Sequence, residues 1–287
     1  RIVTKTQEKE ENKMTNETAF TMDTSSIKYG PGVTSEVGQD MKRLGATCVM
    51  VVTDPFLSDS EPVTVTCNAL RAAGIEYALY DKVRVEPTDV SFKEAIEFAK
   101  AGDFDGYVAV GGGSTIDTAK AANLYATYPA DLLDYVDPPI GKGIPIPGTL
   151  RPLIAIPTTA GTGSETTGVA IFDLLEMHAK TGIAHRSLRP VMGIIDPHNT
   201  RTMPPMVAAC SALDVLSHAV ESLTALSFDN RPAPEAPHLR PAYQGANPIS
   251  NIWSAKSIEL ISENLVTAME NPEDDHARGQ MLLAASF

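Results

Sequence analysis

The sequence has few cysteines and few basic residues, and both shortages limit what the protein can be. Only three cysteines occur in 287 residues and none forms a C-x-x-C pair. We therefore expect neither a disulfide framework nor a cysteine-rich metal cluster, and we expect the protein to reside in a reducing compartment. Lys and Arg number 23 against 36 Asp and Glu, which gives a net charge of -13. Nucleic acids and anionic membranes are not expected partners, because binding them requires a basic face.

Long apolar runs and a recognisable targeting signal are also missing. No uninterrupted hydrophobic stretch is long enough to span a bilayer. Residues 1–20 form a polar tail of mixed charge, which is typical of neither a signal peptide nor a transit peptide. At the other end, Met281–Phe287 is an apolar helical pattern without a terminating residue, so we expect that the chain is cut inside a helix.

The stretch Tyr107–Lys120 predicts a buried strand that turns through three glycines, Gly111–Gly113, into a helix. Glycines allow a phosphate to approach the backbone, while free N–H groups and the helix dipole face the anion. The alternative is a tight turn with Ser114 or Thr115 as N-cap, but three consecutive glycines are more than a cap needs. The pattern is neither the spaced dinucleotide fingerprint nor a Walker loop.

Strands and helices alternate before and after this turn, which predicts an α/β fold with a doubly wound parallel sheet. Ligands of such sheets bind outside the carboxyl ends of the strands. Asp54 follows the apolar run Cys48–Thr53 and precedes Pro55. It could cap a helix that begins at Pro55 or accept hydrogen bonds from a ribose, and the sequence leaves these alternatives evenly matched.

A second predicted strand, Leu153–Pro157, leads into a loop of small polar residues. Its hydroxyl groups and glycines suit a second part of the same ligand. An ordinary Thr-rich turn is the alternative, but two such loops at one sheet edge favour a shared ligand. The hydroxyl groups belong to Thr158, Thr159, Thr162 and Ser164.

The pattern changes near residue 199, where an α/β part gives way to long helical patterns. Further strands are expected at residues 169–172 and 191–195, and helices at 206–224 and 252–269. We therefore predict three parts: a polar tail (1–20), an α/β domain (21–199) and an all-helical domain (200–287).

Asp214 and His218 stand one helical turn apart on the same face of the first long helix. This spacing can supply two ligands to Fe(II) or Zn(II). The alternative is an ordinary helix-stabilising pair. The flanking residues are apolar all round, so we expect the pair to be buried, where a metal would offset the cost of an unpaired carboxylate. A metal still needs further ligands, and no other histidine has helical spacing with a second one.

Three motifs in this order resemble the iron-containing (group III) alcohol dehydrogenase family: Gly111–Asp117, Pro157–Glu165 and Asp214–Ser222. The resemblance runs from about Ile27 to Phe287. Within it, three segments are similar to the hydroxyacid–oxoacid transhydrogenase branch: Asp81–Thr88, Thr166–Asp173 and Arg240–Ser250.

The resemblance implies an NAD-binding α/β domain, a helical metal-binding domain and an active site between them. Asp214 and His218 would ligate iron or zinc and act in catalysis through that metal. The residues implied for NAD are Asp54 at the adenine-side ribose, Gly112, Gly113 and Ser114 at the pyrophosphate, Thr158, Thr159, Thr162 and Ser164 near the nicotinamide, and Asp117.

In that branch, 4-hydroxybutyrate and 2-oxoglutarate give succinic semialdehyde and 2-hydroxyglutarate, with NAD staying bound as the hydride shuttle. The resemblance thus implies an oxidoreductase acting on small hydroxy and oxo acids, in the mitochondrion. Self-association into a homo-oligomer is left open. Lys180, Arg186 and Arg240 are candidates for binding the substrate carboxylates.

The family pattern has two more histidine ligands on later helices, and this chain ends at Phe287, before that region. We therefore expect a partial metal site. Two alternatives follow: an NAD-dependent alcohol dehydrogenase that releases its cofactor each turnover, or a truncated, inactive form that binds nucleotide only. The sequence does not decide between iron and zinc.

Overall fold

The computed structural model describes residues 16–287, except for the side chain of His238. Most of the predicted polar tail therefore lies outside the described residues. The strands are β1 (Ser26–Tyr29), β2 (Cys48–Val52), β3 (Glu76–Tyr80), β4 (Gly106–Gly111), β5 (Leu153–Pro157), β6 (Val169–Leu174), β7 (Ala179–Ala184) and β8 (Met192–Ile195). The helices are α1 (Val37–Arg43), α2 (Glu61–Ala72), α3 (Asp89–Gly102), α4 (Gly113–Thr127), α5 (Leu132–Tyr135), α6 (Pro205–Thr224), α7 (Pro248–Glu270) and α8 (Asp275–Ser286).

Six strands form one parallel sheet in the order β1-β8-β5-β4-β2-β3. In the sheet, β3 lies beside β2 on one side, whereas β4 and then β5 follow on the other side of β2. Strand order therefore reverses between β2 and β4, and ligands of open α/β sheets bind outside the carboxyl ends at such a point. The predicted doubly wound α/β fold is confirmed.

Alternating side chains of the central strands enter two separate cores, because successive residues of a strand point to opposite faces. Val49 and Val51 of β2 pack with Leu70 of α2 on one face. Met50 and Val52 pack with the helices α3 and α4 on the other. Both faces are covered, which explains why these strands read as continuous apolar runs.

The segment between residues 169 and 184 differs from the prediction. The strand expected at 169–172 exists, but it pairs antiparallel with β7 in a separate two-stranded sheet. We did not predict β7, because Ala179–Ala184 is short, contains Gly182 and has no strong apolar alternation. As a result Lys180 lies on a strand rather than on a connecting segment.

The long helical patterns are confirmed as α6 and α7, and α8 packs with them around an apolar core. Ala160 and Ile195 from the α/β part belong to the same core, so the division near residue 199 stays a prediction. Helix α6 is long and apolar enough to cross a membrane by length and composition alone, with a mean hydropathy of 1.3 over 18 residues. One such helix is weak evidence for a membrane span, since core helices pass the same test.

Candidate functional site

Asp54 lies at the carboxyl end of β2, beside the end of β4. The two strand ends are tied together, since Thr53 Oγ1 donates to the carbonyl of Val110 over 2.9 Å. Asp54 Oδ1 accepts from the N–H groups of Phe56 at 2.8 Å and Leu57 at 3.2 Å. The alternative in which Asp54 caps a helix beginning at Pro55 is wrong, because the chain makes turns there and α2 begins at Glu61. Asp54 therefore caps a turn, and its contact with a ribose stays a prediction.

The triple-glycine turn ends in helix α4, which begins at Gly113 with Gly112 as N-cap and no side-chain cap. The alternative, in which Ser114 or Thr115 is the N-cap, is wrong. Ser114 Oγ instead accepts a hydrogen bond from the N–H of Glu86 at 3.2 Å. Because the first N–H groups of a helix have no intrahelical acceptor, the uncapped end of α4 is suited to an anion.

The glycines also allow the two predicted loops to pack against each other. A Cβ at Gly113 would lie 2.7 Å from Thr162 Cγ2, and a Cβ at Gly112 would lie 3.2 Å from Thr159 Oγ1. The N–H of Thr158 donates to the carbonyl of Gly111 at 3.1 Å. A side chain at Gly113 would therefore clash with the second loop, and one at Gly112 would be tight against it.

A buried lysine that we did not predict joins the second loop to α4. Lys120 is fully buried, and its Nζ donates to Ser164 Oγ and to the carbonyl of Val169, both at 2.7 Å. It also contacts Thr167 Oγ1 at 3.2 Å and Asp117 Oδ1 at 3.3 Å. Burial lowers the pKa of Lys120, and Asp117 opposes that shift. The sequence signal for this network was a lysine three residues after an aspartate inside an apolar helix.

Two carboxylates near this lysine have structural partners. Asp117 accepts from Ser164 Oγ at 2.5 Å and from the N–H of Ile171 at 3.0 Å. Glu165 is fully buried and accepts from Ser286 Oγ at 2.7 Å, and its burial raises the pKa of its carboxyl group. Asp117, predicted as a cofactor residue, thus also fixes β6 and the second loop against α4.

Asp214 and His218 lie on one face of α6, with 3.7 Å between Oδ1 and Nε2. The predicted burial is wrong, since their side chains are 42% and 54% exposed. The apolar neighbours Leu213 and Val220 are exposed as well, because α7 and α8 cover only part of α6. Among the described residues 16–287, no third His, Cys, Asp or Glu completes a group that could hold a metal ion.

One cavity of about 530 Å³ joins the N-terminus of α4 to the Asp–His pair of α6. Asp54, Gly112, Thr158 and Thr159 do not line it. Its lining also includes Glu86, Thr167 and Lys180, which we had not assigned to a cofactor site. The predicted site residues that line it are Gly113, Ser114, Asp117, Thr162, Ser164, Asp214 and His218.

The three candidate cations for a substrate carboxylate differ in position. Lys180 lines this cavity and pairs with Glu86. Arg186 pairs with Asp23 at 2.5 Å and does not line it. Arg240 binds Glu17 through two hydrogen bonds, of 2.7 and 3.0 Å, and lowers the pKa of Glu17 to about 2. Arg240 likewise lies outside the cavity.

Comparison with known proteins identifies the scaffold. The family model for iron-containing alcohol dehydrogenase matches residues 24–197. The chain is 55% identical over 275 residues to a mitochondrial hydroxyacid–oxoacid transhydrogenase from Xenopus laevis. The aligned region covers 95% of this chain and 59% of that relative. The chain thus spans about three fifths of the relative's length.

Solved structures agree with this match. The crystal structure of a 1,3-propanediol oxidoreductase superposes with a TM-score of 0.82 at 29% identity, over 94% of this chain and 65% of that one. A sulfoacetaldehyde reductase from Bifidobacterium kashiwanohense in complex with NAD+ superposes with a TM-score of 0.79 at 26% identity, over 94% and 66%. The chain therefore belongs to the iron-containing alcohol dehydrogenase family.

Proposed function

We propose that this chain binds NAD along the carboxyl edge of the sheet, with part of the cofactor in the 530 Å³ cavity, and serves hydride transfer from a hydroxy acid to an oxo acid. The observation that carries the proposal is the cavity itself. It connects the uncapped N-terminus of α4, at Gly113 and Ser114, with Asp214 and His218. An anion-binding helix end and a pair of metal-ligating groups thus border one space.

In this proposal the chain holds NAD along the carboxyl edge of the sheet. The N–H groups at Gly112, Gly113 and Ser114 hold the pyrophosphate, and Asp54 meets the adenine-side ribose at the end of β2. Lys180 also lines the cavity, where its ammonium group pairs with Glu86. The remaining cofactor residues, toward the nicotinamide, are Asp117, Thr158, Thr159, Thr162 and Ser164.

Asp214 and His218 are proposed as two ligands of a divalent metal, iron or zinc. Their donor atoms suit either ion, and helical spacing of four residues directs both toward the cavity. The bound metal would supply Lewis acidity toward the oxygen of the substrate alcohol. NAD, when bound, would accept and return the hydride, while the cavity walls orient the reactants and limit access of water.

The relative from Xenopus laevis is named a mitochondrial hydroxyacid–oxoacid transhydrogenase. We therefore propose the same reaction class, with 4-hydroxybutyrate-like and 2-oxoglutarate-like acids as substrates, NAD retained through turnover, and a mitochondrial location. A cofactor that exchanges each turnover would instead make the protein an alcohol dehydrogenase of the same family.

A second candidate is a nucleotide-binding form without turnover. The observation that favours it is that the described residues supply two metal donors and no third, and a two-ligand site holds a metal weakly.

One pair of variants tests the proposal. NADH fluorescence and metal content are measured for the unchanged chain and for Gly113→Ala and His218→Ala. We expect Gly113→Ala to lose NADH affinity and keep its metal, and His218→Ala to do the reverse. Hydride transfer from 4-hydroxybutyrate to 2-oxoglutarate without release of NADH supports the transhydrogenase, and release of NADH supports the dehydrogenase. NADH binding without metal-dependent turnover supports the second candidate, and absence of NADH binding refutes both.

A further inference from the structure

A second cavity, of about 610 Å³, adjoins the proposed NAD cavity. Thr167 lines both of them. Ser222, one helical turn after His218, also lines the second cavity. The two cavities therefore share a wall at Thr167. Its lining includes residues 21–25, which precede β1, and residues near the start of α7, among them Trp253.

Arg189 is the one basic residue among the described residues that line this second cavity. Its Nε donates to the carbonyl of Thr166 at 2.8 Å, which fixes the guanidinium plane. Only 18% of the side chain is exposed. Burial lowers the pKa of Arg189, but an arginine keeps its charge at neutral pH. A fixed, charged and largely buried guanidinium thus lines this cavity, together with Asp23.

The nearest carboxylate to this guanidinium is not in hydrogen-bonding range. Asp23 Oδ2 lies 3.6 Å from Arg189 Nη1, whereas it lies 2.5 Å from Arg186 Nη1. Asp23 therefore forms ion pairs with both arginines and lies closer to Arg186. The hydrogen bond that Arg189 makes comes from Nε, so its Nη groups keep capacity for another acceptor. A guanidinium binds a carboxylate through two parallel hydrogen bonds, which gives both strength and direction.

We propose that Arg189 binds the distal carboxylate of the dicarboxylate substrate, whose oxo or hydroxyl end lies toward His218. This rests on the proposed function and names the group that selects acids with two carboxylates. A local cation is needed because the whole chain carries a net charge of -13 and repels anions. The three candidates named from the sequence, Lys180, Arg186 and Arg240, each have a closer carboxylate partner, namely Glu86, Asp23 and Glu17.

The test compares two probes that differ only in the distal carboxylate: 2-oxoglutarate and 2-oxopentanoate. Each is titrated calorimetrically into the full chain without NAD or metal. Emission of Trp253, the chain's single tryptophan, reports whether the probe enters the second cavity. We expect the unchanged chain to bind 2-oxoglutarate about tenfold more tightly than 2-oxopentanoate, as charge-assisted hydrogen bonds provide.

Two variants and a control decide the role of Arg189. Arg189→Met should lower that preference from about tenfold to about one, because the variant lacks the ion pair that provides it. Asp23→Asn should strengthen 2-oxoglutarate binding several-fold, because it removes a competing carboxylate, and it keeps the proposal testable if Arg189→Met does not fold. Arg43→Met removes the same charge at an exposed position on α1 and should leave the preference unchanged.

The possible failures are separable. If the chain binds NADH but shows equal affinity for both probes, or an unchanged preference in Arg189→Met, the assignment of Arg189 is overturned and the proposed function stands. If the preference depends on Arg189 but NADH does not bind, the carboxylate site stands and the proposed function fails. If neither probe changes the emission of Trp253, the assignment of Arg189 is overturned as well.

Discussion

Replacement of Lys120 by methionine tests whether the buried network holds the cofactor loop in place. Methionine keeps most of the side-chain volume and removes the ammonium group. The carbonyl of Val169 then loses the donor 2.7 Å away, and Ser164 and Thr167 lose a shared partner. Asp117 keeps two donors, Ser164 Oγ and the N–H of Ile171, so its carboxylate is not left alone.

The expected cost follows from these contacts. Removing one partner of a buried ion pair costs about 3–5 kcal/mol, and the donors that Asp117 keeps place this case at the lower end. We therefore expect a loss of about 3 kcal/mol in the free energy of unfolding. With an unfolding entropy of roughly 2.1 cal/mol/K per residue, this lowers Tm by about 5 °C for a chain of 287 residues.

The chain offers a matched control in Lys100→Met. Lys100 also lies three residues after a carboxylate, Glu97, at 2.9 Å, but both side chains are exposed. Such pairs contribute less than about 1 kcal/mol. Calorimetric melting of both variants should separate them by several degrees, and NADH affinity should fall in Lys120→Met only, because Ser164 and Thr167 line the cavity. Equal Tm and equal NADH affinity in the two variants would refute the reasoning.

Three further predictions concern the loops, the acid range and a buried carboxyl group. Gly113→Ala should raise the Kd for NADH about tenfold, because the new Cβ would lie 2.7 Å from Thr162 Cγ2; fluorescence titration measures this, and an unchanged Kd would contradict it. Arg240 lowers the pKa of Glu17 from 4.5 to about 2, so its stabilisation is complete above pH 4.5 and lost as the pH falls toward 2. Urea midpoints should show the Glu17→Gln penalty shrinking over that range, and a constant penalty would argue against the pair. Burial raises the pKa of Glu165, so stability falls as the pH rises from 4.5 through the raised pKa. The Tm of Glu165→Gln relative to the unchanged chain should therefore be higher at pH 8 than at pH 5, and the opposite trend would contradict this.

Local patterns predicted the strands and helices of the α/β part well. Cys48–Val52 and Tyr107–Gly111 read as buried strands because both of their faces are covered. The triple glycine indicated a strand-to-helix turn, since glycine permits close approach of backbone and neighbouring loops. Strand β7 was not predicted, because Ala179–Ala184 is extended through its pairing with β6 and has no clear periodicity of its own.

Long-range contacts decided the partners of the charged side chains. Arg186 and Arg240 looked like substrate cations in the sequence, but each is paired with a carboxylate more than 150 positions away, with Asp23 and Glu17. Lys120 was assigned no role from the sequence, yet it is fully buried. No local pattern contains these pairings, because they depend on how distant segments fold together.

The sequence alone determined the family, the alternation of strands and helices, and the helical spacing of Asp214 and His218, because each depends on residues near one another in the chain. The tertiary structure decided that the reversal of strand order lies between β2 and β4, that the Asp–His pair is exposed, and that one cavity joins it to the end of α4. These features depend on which strands become neighbours and which helix faces are covered. Those outcomes are set by burial summed over the whole fold rather than by any local stretch.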